Sequence, residues 1–271
     1  MTSGARVLLV ATLTAQVPAP HLPDAAQVLA DMRQALGGDA LTAVETFSVK
    51  GSEARLIGRS TLTAKFEWAG ILPDRFIEER SVPQGSVIIS TGFNADAPVR
   101  WMIGGTSRGR GRFPFAAEPA VLPELSRQNV MILAKRHFSR ITVAMFGITP
   151  IYPLDATYIS RETLDKRPVH LLELRGPDDY VARLCVDVSS HLPRMVSWLA
   201  AVPNFLQVPG TARDTSMVEH RLYFSDYEKR DGLTWPHRIK EVVSKVTVVE
   251  TRLGKFMINP RIDPKRFEPA R

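Results

Sequence analysis

Cysteine is almost absent from this chain, and so are long apolar runs. One cysteine, Cys185, stands among 271 residues, which excludes an intramolecular disulfide and any metal centre built from several thiolates. It falls in the alternating stretch 180–188, where a lone cysteine reads as a small buried hydrophobe. Beyond residues 7–13, no segment approaches the roughly 18 consecutive apolar residues that a membrane-spanning helix needs. The histidines are also poorly arranged for a metal. His21, His137, His170, His191, His220 and His237 form no HExxH or other ligand spacing. His220 and His237 are placed to meet across neighbouring strands, but a catalytic metal ordinarily takes three ligands from the protein. No metal and no cofactor is expected.

What is present is the material of a folded globular protein. Hydrophobic residues make up 44% and charged residues 23%, enough apolar surface for a sizeable core. The formal charge of +7 and pI near 9.7 suit anionic partners, yet the basic residues are scattered, which is the pattern of a solvated basic surface. The N-terminus carries Arg6, an apolar run over 7–13 and small residues at Ala15 and Ala19. That order predicts a short signal peptide over residues 1–19, followed by a single domain over 20–271.

Periodicity then gives the elements. Asp24 is placed to cap a helix in which Ala25, Val28, Leu29, Met32 and Leu36 share one face, with Gly37-Gly38 as the stop. From Phe47 the period becomes two: Phe47 and Val49, then Leu62, Ala64, Phe66 and Trp68, alternate with polar neighbours. Further strands fit 75–81, 86–93 and 99–103, separated by Pro83-Gln84-Gly85 and Asn94-Ala95-Asp96. The glycine- and arginine-rich piece 104–112 reads as a mobile loop. Residues 124–146 turn helical, with Val130, Ala134, His137, Ile141 and Met145 along a seam and Leu133, Phe138 and Ala144 beside it. So wide an apolar stripe is expected to pack on the open face of a sheet. Strands resume at 156–163, 169–175, 180–188, 194–200, 217–228, 235–243 and 245–257, and the short turns between most of them force antiparallel neighbours. The connection 202–210 is unusually apolar for a loop, which marks it as packed on its own core, a lid, or a rim touching a membrane.

Motifs for chemistry are weak. Gly105-Thr106-Ser107-Arg108-Gly109 has the form of a nucleophile elbow, but that elbow must open a helix, and Arg110-Gly111-Arg112-Phe113-Pro114 does not. Glu78-Glu79, Asp178-Asp179 and Asp226 fall in polar strand positions or turns, where solvation accounts for them. Arg108, Arg110 and Arg112 near Phe113 and Phe115 could contact phosphates while the rings stack on bases, yet no nucleic-acid-binding fold signature accompanies them. No catalytic residue is assigned, the protein is read as a non-enzyme, and no nucleic acid is expected as a partner.

One ordered set of short motifs carries a resemblance. Asp226-Tyr227, Asp231-Gly232-Leu233 and Pro236-His237 lead to Asn259, Ile262-Asp263-Pro264 and Phe267. Upstream stand Leu164-Asp165-Lys166-Arg167-Pro168, Arg183-Leu184-Cys185-Val186-Asp187 and His191-Leu192-Pro193-Arg194, and before them Leu36-Gly37-Gly38 and Phe47-Ser48-Val49-Lys50-Gly51. In this order, over most of 24–267, they resemble the LolA/LolB-like outer-membrane lipoprotein carrier superfamily. The chain departs from true carriers in its greater length and its arginine-glycine loop, and the family's ligand-gating arginine has no assigned counterpart.

The resemblance implies a mainly β (α+β) fold: a strongly bent, unclosed antiparallel β-barrel with an N-terminal and a central helix covering its open face. It implies a periplasmic or secreted binding protein that holds a lipid or lipoprotein acyl chain in an apolar cavity between sheet and helices, with transient membrane contact. On that expectation Phe66, Trp68, Leu184, Val186, Leu222 and Phe224 line the cavity from the strands, and Phe138, Ile141 and Met145 face them from the helix. The same positions would be apolar in a filled core. The alternative is therefore a scaffold of the same fold with a filled core, acting on envelope protein partners or in stress sensing.

Overall fold

The computed structural model describes residues 23–81, 88–103, 124–149, 151–203, 206 and 215–268. The expected signal peptide, the 83–85 turn, the loop 104–112 with Ser107, Phe113 and Phe115 all lie outside these residues. So does the 202–210 loop, apart from Val202, Pro203 and Leu206.

Helix α1 (Ala25–Leu36) begins where expected. The Asp24 carboxylate accepts from the Gln27 amide at 2.7 Å, satisfying one of the free N–H groups of the first turn. Val28, Met32 and Leu36 form its buried stripe. Strands β1 (Thr46–Ile57), β2 (Ser60–Ile71), β3 (Arg75–Ser81), β4 (Ile88–Asn94) and β5 (Ala97–Ile103) precede helix α2 (Glu124–Phe146). After it come β6 (Asp155–Leu164), β7 (Arg167–Gly176), β8 (Tyr180–Asp187), β9 (Pro193–Ala201), β10 (Met217–Arg230), β11 (Leu233–Val243) and β12 (Val246–Ile258).

All the strands belong to one 12-stranded antiparallel sheet in the order β5-β4-β3-β2-β1-β12-β11-β10-β9-β8-β7-β6. Each consecutive pair within the two halves is a hairpin, and turn chemistry explains several. Asp165-Lys166, Asp231-Gly232 and Ser244-Lys245 all have positive φ, the geometry whose twist suits a two-residue hairpin loop. The long-range pairing of β1 with β12 joins the two halves. Among the described residues strands β5 and β6 are the edges of the sheet, and the barrel is unclosed.

The sheet curls around α2. That helix touches β4 and β5 near one edge and β9, β10 and β11 on the far side of the β1–β12 seam, which a flat sheet would not allow. Its second half is buried almost all round, from Phe138 to Phe146, and residues 127–137 of its first half are half-buried or exposed. Leu133, expected beside the apolar seam, is instead 59% exposed at the rim. One main core fills the concavity between α1, α2 and the sheet. Gly70 is required there, because a Cβ at that position would lie 2.3 Å from the Phe47 ring.

Part of the convex face is covered as well. Residues after β12 run back across it: Asn259 accepts from the amides of Glu45 and Thr46 at 2.8 and 3.2 Å and donates to the Ala43 carbonyl at 2.7 Å. Asp263 caps the short turn Pro264–Phe267. Phe267, fully buried, then packs with Ala69, Ile77 and Val99, while Arg266 bonds Glu67 and Glu79. Cys185 packs with Val169 and Met195 in a separate cluster of the sheet, and burial pushes its thiol up to about 11.

Candidate functional site

Alternation decides which side chains look into the concavity. In β2, Ala64, Phe66 and Trp68 point inward; in β8, Ala182, Leu184 and Val186 do; in β10, Leu222 and Phe224 do. From α2, Phe138, Ile141 and Met145 meet them. All the residues expected to line a cavity are therefore buried together in the main core. Most of that core is filled. Phe138 lies 5.0 Å from Phe76 and 5.5 Å from Phe93, centroid to centroid, and Phe47 lies 5.1 Å from Phe146. Such offset and edge-on ring pairs make a packed aromatic plug.

Among the described residues, two spaces that share Glu78, Arg80 and His137 in their walls lie beside the plug. The larger, about 280 Å³, lies between β3, β4, β5 and the first half of α2. Its helix wall is Val130, Leu133, Ala134 and His137; its sheet wall is Phe76, Glu78, Arg80, Thr91, Gly92 and Arg100. The smaller, about 40 Å³, lies deeper, on the other side of Glu78, Arg80 and His137. Trp68, Ile141 and Leu222 of the expected lining border this deeper space. Phe66, Phe138, Met145, Leu184, Val186 and Phe224 border neither of the two. A groove of about 350 Å³ containing Arg194, Tyr223, Arg238 and Lys240 lies on the opposite face of the sheet, since these residues alternate with the inward set.

The floor between the two spaces is ionic. Glu78, only 3% exposed, accepts from Trp68 Nε1 at 2.8 Å and from Arg80 Nη2 at 2.9 Å. Its other oxygen lies 3.5 Å from His137 Nε2, so the helix is tied to the sheet at this point. Arg80 continues to Glu53 at 3.3 Å, and Glu53 to Arg55 at 3.1 Å. Further along, the His220 ring faces the Glu241 carboxylate at 3.1 Å and the Ala201 carbonyl at 3.2 Å. Burial opposes ionisation of Glu78, but the Arg80 guanidinium, His137 and the Trp68 N–H outweigh it and hold the carboxyl well below its usual range. Glu241 is lowered too, against burial, by His220 and then Arg55. The carboxylates and cations thus stand opposite one another, as charges withdrawn from water must.

Residues on the other flank of α2 hold it to the second half of the sheet. Arg136 donates to the Tyr152 hydroxyl at 3.0 Å and to the Asp178 carbonyl at 2.5 Å. Arg140 lies 4.2 Å above the Trp198 ring and 5.9 Å from that of Tyr180, a cation–π arrangement. The helix thus bridges the two halves of the sheet and roofs the cavity.

Two expectations need correction. Glu78 is not a solvated strand carboxylate: the 75–81 strand places Phe76, Glu78 and Arg80 inward, where α2 covers them. His220 and His237 do not meet; His220 is engaged by Glu241, while His237 bonds the Leu253 carbonyl at 3.0 Å and lies 3.1 Å from Glu228. The residues that sequence reading missed are Glu78, Arg80 and Arg100. The spacing of Phe76, Glu78 and Arg80 did signal a shared face, but Ile77 and Glu79 on the opposite face look just as buriable. Among the described residues no group of His, Cys, Asp and Glu could hold a metal, and no helix is long and apolar enough to cross a membrane.

No family model and no curated protein matches the sequence. Solved structures do. A LolA superfamily protein from Nitrosomonas europaea is similar at a TM-score of 0.50 and 13% identity, over 89% of this chain and 96% of that one. A DUF1329 family protein from Desulfovibrio piger is similar at 0.51 and 13%, over 91% and 98%. A domain assigned to outer membrane lipoprotein sorting from Vibrio parahaemolyticus is similar at 0.50 and 12%, over 89% and 94%. Since each likeness spans nearly the whole of both chains, this chain has the fold that the LolA superfamily structure shows: an open antiparallel barrel roofed by its helices.

Proposed function

We propose that the protein is a non-enzymatic binding protein of the periplasm that holds a lipid or lipoprotein acyl chain between the concave sheet and α2. The cavity of about 280 Å³ under the first half of α2 carries this reading. It falls just below the roughly 300–1,000 Å³ common for ligand pockets, and Phe76, Val130, Leu133 and Ala134 give it an apolar lining. An acyl chain gains roughly 0.8 kcal/mol per buried CH₂, so an apolar wall suffices without a dense set of polar contacts. The expected cavity residues Phe66, Phe138, Met145, Leu184, Val186 and Phe224 serve mainly as the packed wall behind this space. Trp68, Ile141 and Leu222 stand at its deeper end. Native mass spectrometry of the purified protein, followed by solvent extraction, tests the proposal. Co-purifying lipid, or uptake of an added acyl-chain probe, supports it; a protein that carries none and takes up none overturns it.

The aromatic plug favours a second reading, a scaffold whose filled core serves an envelope protein partner. Crosslinking in intact cells, with identification of a single stoichiometric partner and no bound lipid, would establish that reading in place of the first.

A further inference from the structure

Among the described residues, one cation in the cavity has no counter-charge. Strand register sets Trp68 beside Glu78, Glu78 beside Thr91 and Thr91 beside Arg100, a row running across β2, β3, β4 and β5. Glu78 is fully engaged by Trp68, Arg80 and His137, and Arg80 is shared between Glu78 and Glu53. Arg100 lies two strands beyond Glu78, about 9–10 Å along the row from backbone to backbone at the usual strand spacing, and makes no ion pair with it. Among the described residues it has neither a hydrogen bond nor an ion pair. Lys135, at the neighbouring turn of α2, is already opposite Asp96 at 3.4 Å. The space therefore has an apolar helix wall of Val130, Leu133 and Ala134, and at its sheet side a lone guanidinium with the Thr91 hydroxyl next to it.

We propose that Arg100 is a head-group recognition residue, and that the cavity takes an amphiphile with a terminal oxyanion, a carboxylate or phosphate, on an apolar chain. The oxyanion docks on the Arg100 guanidinium, with Thr91 in reach as a second donor, and the chain runs along Val130, Leu133 and Ala134. A guanidinium matches a carboxylate or phosphate with two parallel N–H donors, and at a half-buried site the pair is less screened than at an open surface. The inference rests on the proposal that this cavity binds an apolar chain, and adds what its head must be.

Isothermal titration calorimetry with decanoate, decanol and acetate, each below its aggregation concentration, separates the two ideas. The expected result is that decanoate binds about tenfold more tightly than decanol, the gain of a charged hydrogen bond, and that acetate does not bind. Arg100→Gln should abolish the preference while decanol binding persists, Arg100→Lys should restore part of it, and added salt should reduce it in the parent protein. Equal binding of decanoate and decanol overturns the head-group assignment and leaves the acyl-chain reading standing. A preference for decanoate that survives in Arg100→Gln removes Arg100 from the role. Failure of both long-chain ligands to bind overturns this inference together with the acyl-chain reading. Decyl phosphate in place of decanoate then distinguishes a phosphate head from a carboxylate one.

Discussion

Replacing Glu78 by leucine should destabilise the protein far more than replacing Glu78 and Arg80 together. In the parent, Glu78 bonds Trp68 Nε1 at 2.8 Å and Arg80 at 2.9 Å, and His137 lies 3.5 Å away. Glu78→Leu leaves the Arg80 guanidinium to Glu53 alone and the Trp68 N–H facing hydrocarbon, and removing one partner of a buried pair costs about 3–5 kcal/mol. For a domain of this size each kcal/mol lowers Tm by about 2–4 °C, so the single variant should melt about 6–20 °C below the parent. Arg80→Leu leaves Glu78 to His137 and Trp68, and Glu53 to Arg55 at 3.1 Å, so its cost should be smaller. In the double variant neither charge is stranded, and an apolar pair of similar volume is often close to neutral. Urea unfolding, followed by intrinsic tryptophan fluorescence, gives all four corners of the cycle. The expected coupling is about 2–3 kcal/mol, at the upper end for residues in one network. Costs that add to within about 0.5 kcal/mol would refute the view of Glu78 and Arg80 as a mutually dependent buried pair.

Three further outcomes follow from the same geometry. Glu78 and Glu241 have lowered carboxyl pKa values in the fold against an ordinary 4.5; their contribution is complete above that value and is lost as pH falls below it. The urea midpoint should therefore decline below about pH 4.5, less steeply in Glu78→Gln, and a midpoint flat down to pH 3 would count against this account. Cys185, buried and with its thiol raised to about 11, should resist iodoacetamide at pH 8 in the native protein and react at once in urea; rapid labelling of the folded protein would show that this face of the sheet is open. Phe267→Ala should cost about 3–5 kcal/mol by emptying the site between Ala69, Ile77 and Val99, measured as a fall in Tm, and a loss below 1 kcal/mol would mean the C-terminal segment is not fastened there.

Much of the fold was legible because its signals are local. Helix α2 spans 124–146 as its periodicity indicates, and β3 spans Arg75–Ser81 as its alternation does. Asp231-Gly232 makes the hairpin turn its residue types favour. The site was less legible, because alternation separates two faces without saying which one is covered. Glu78 and Glu79 are adjacent and chemically identical, yet one is enclosed beneath α2 and the other bonds Arg266 on the convex side.

The sequence by itself determined the antiparallel strand run, the two main helices, their boundaries and the set of apolar positions that meet in the core. Only the tertiary structure decided which of those positions pack solidly and which border open space. The physical reason is that burial depends on partners distant in the chain. The β1–β12 pairing brings residues near 47 against residues near 258, Phe267 covers the outside of strands read as having one wet face, and α2 fills one end of the concavity with Phe138 while leaving Arg100 beside a cavity at the other.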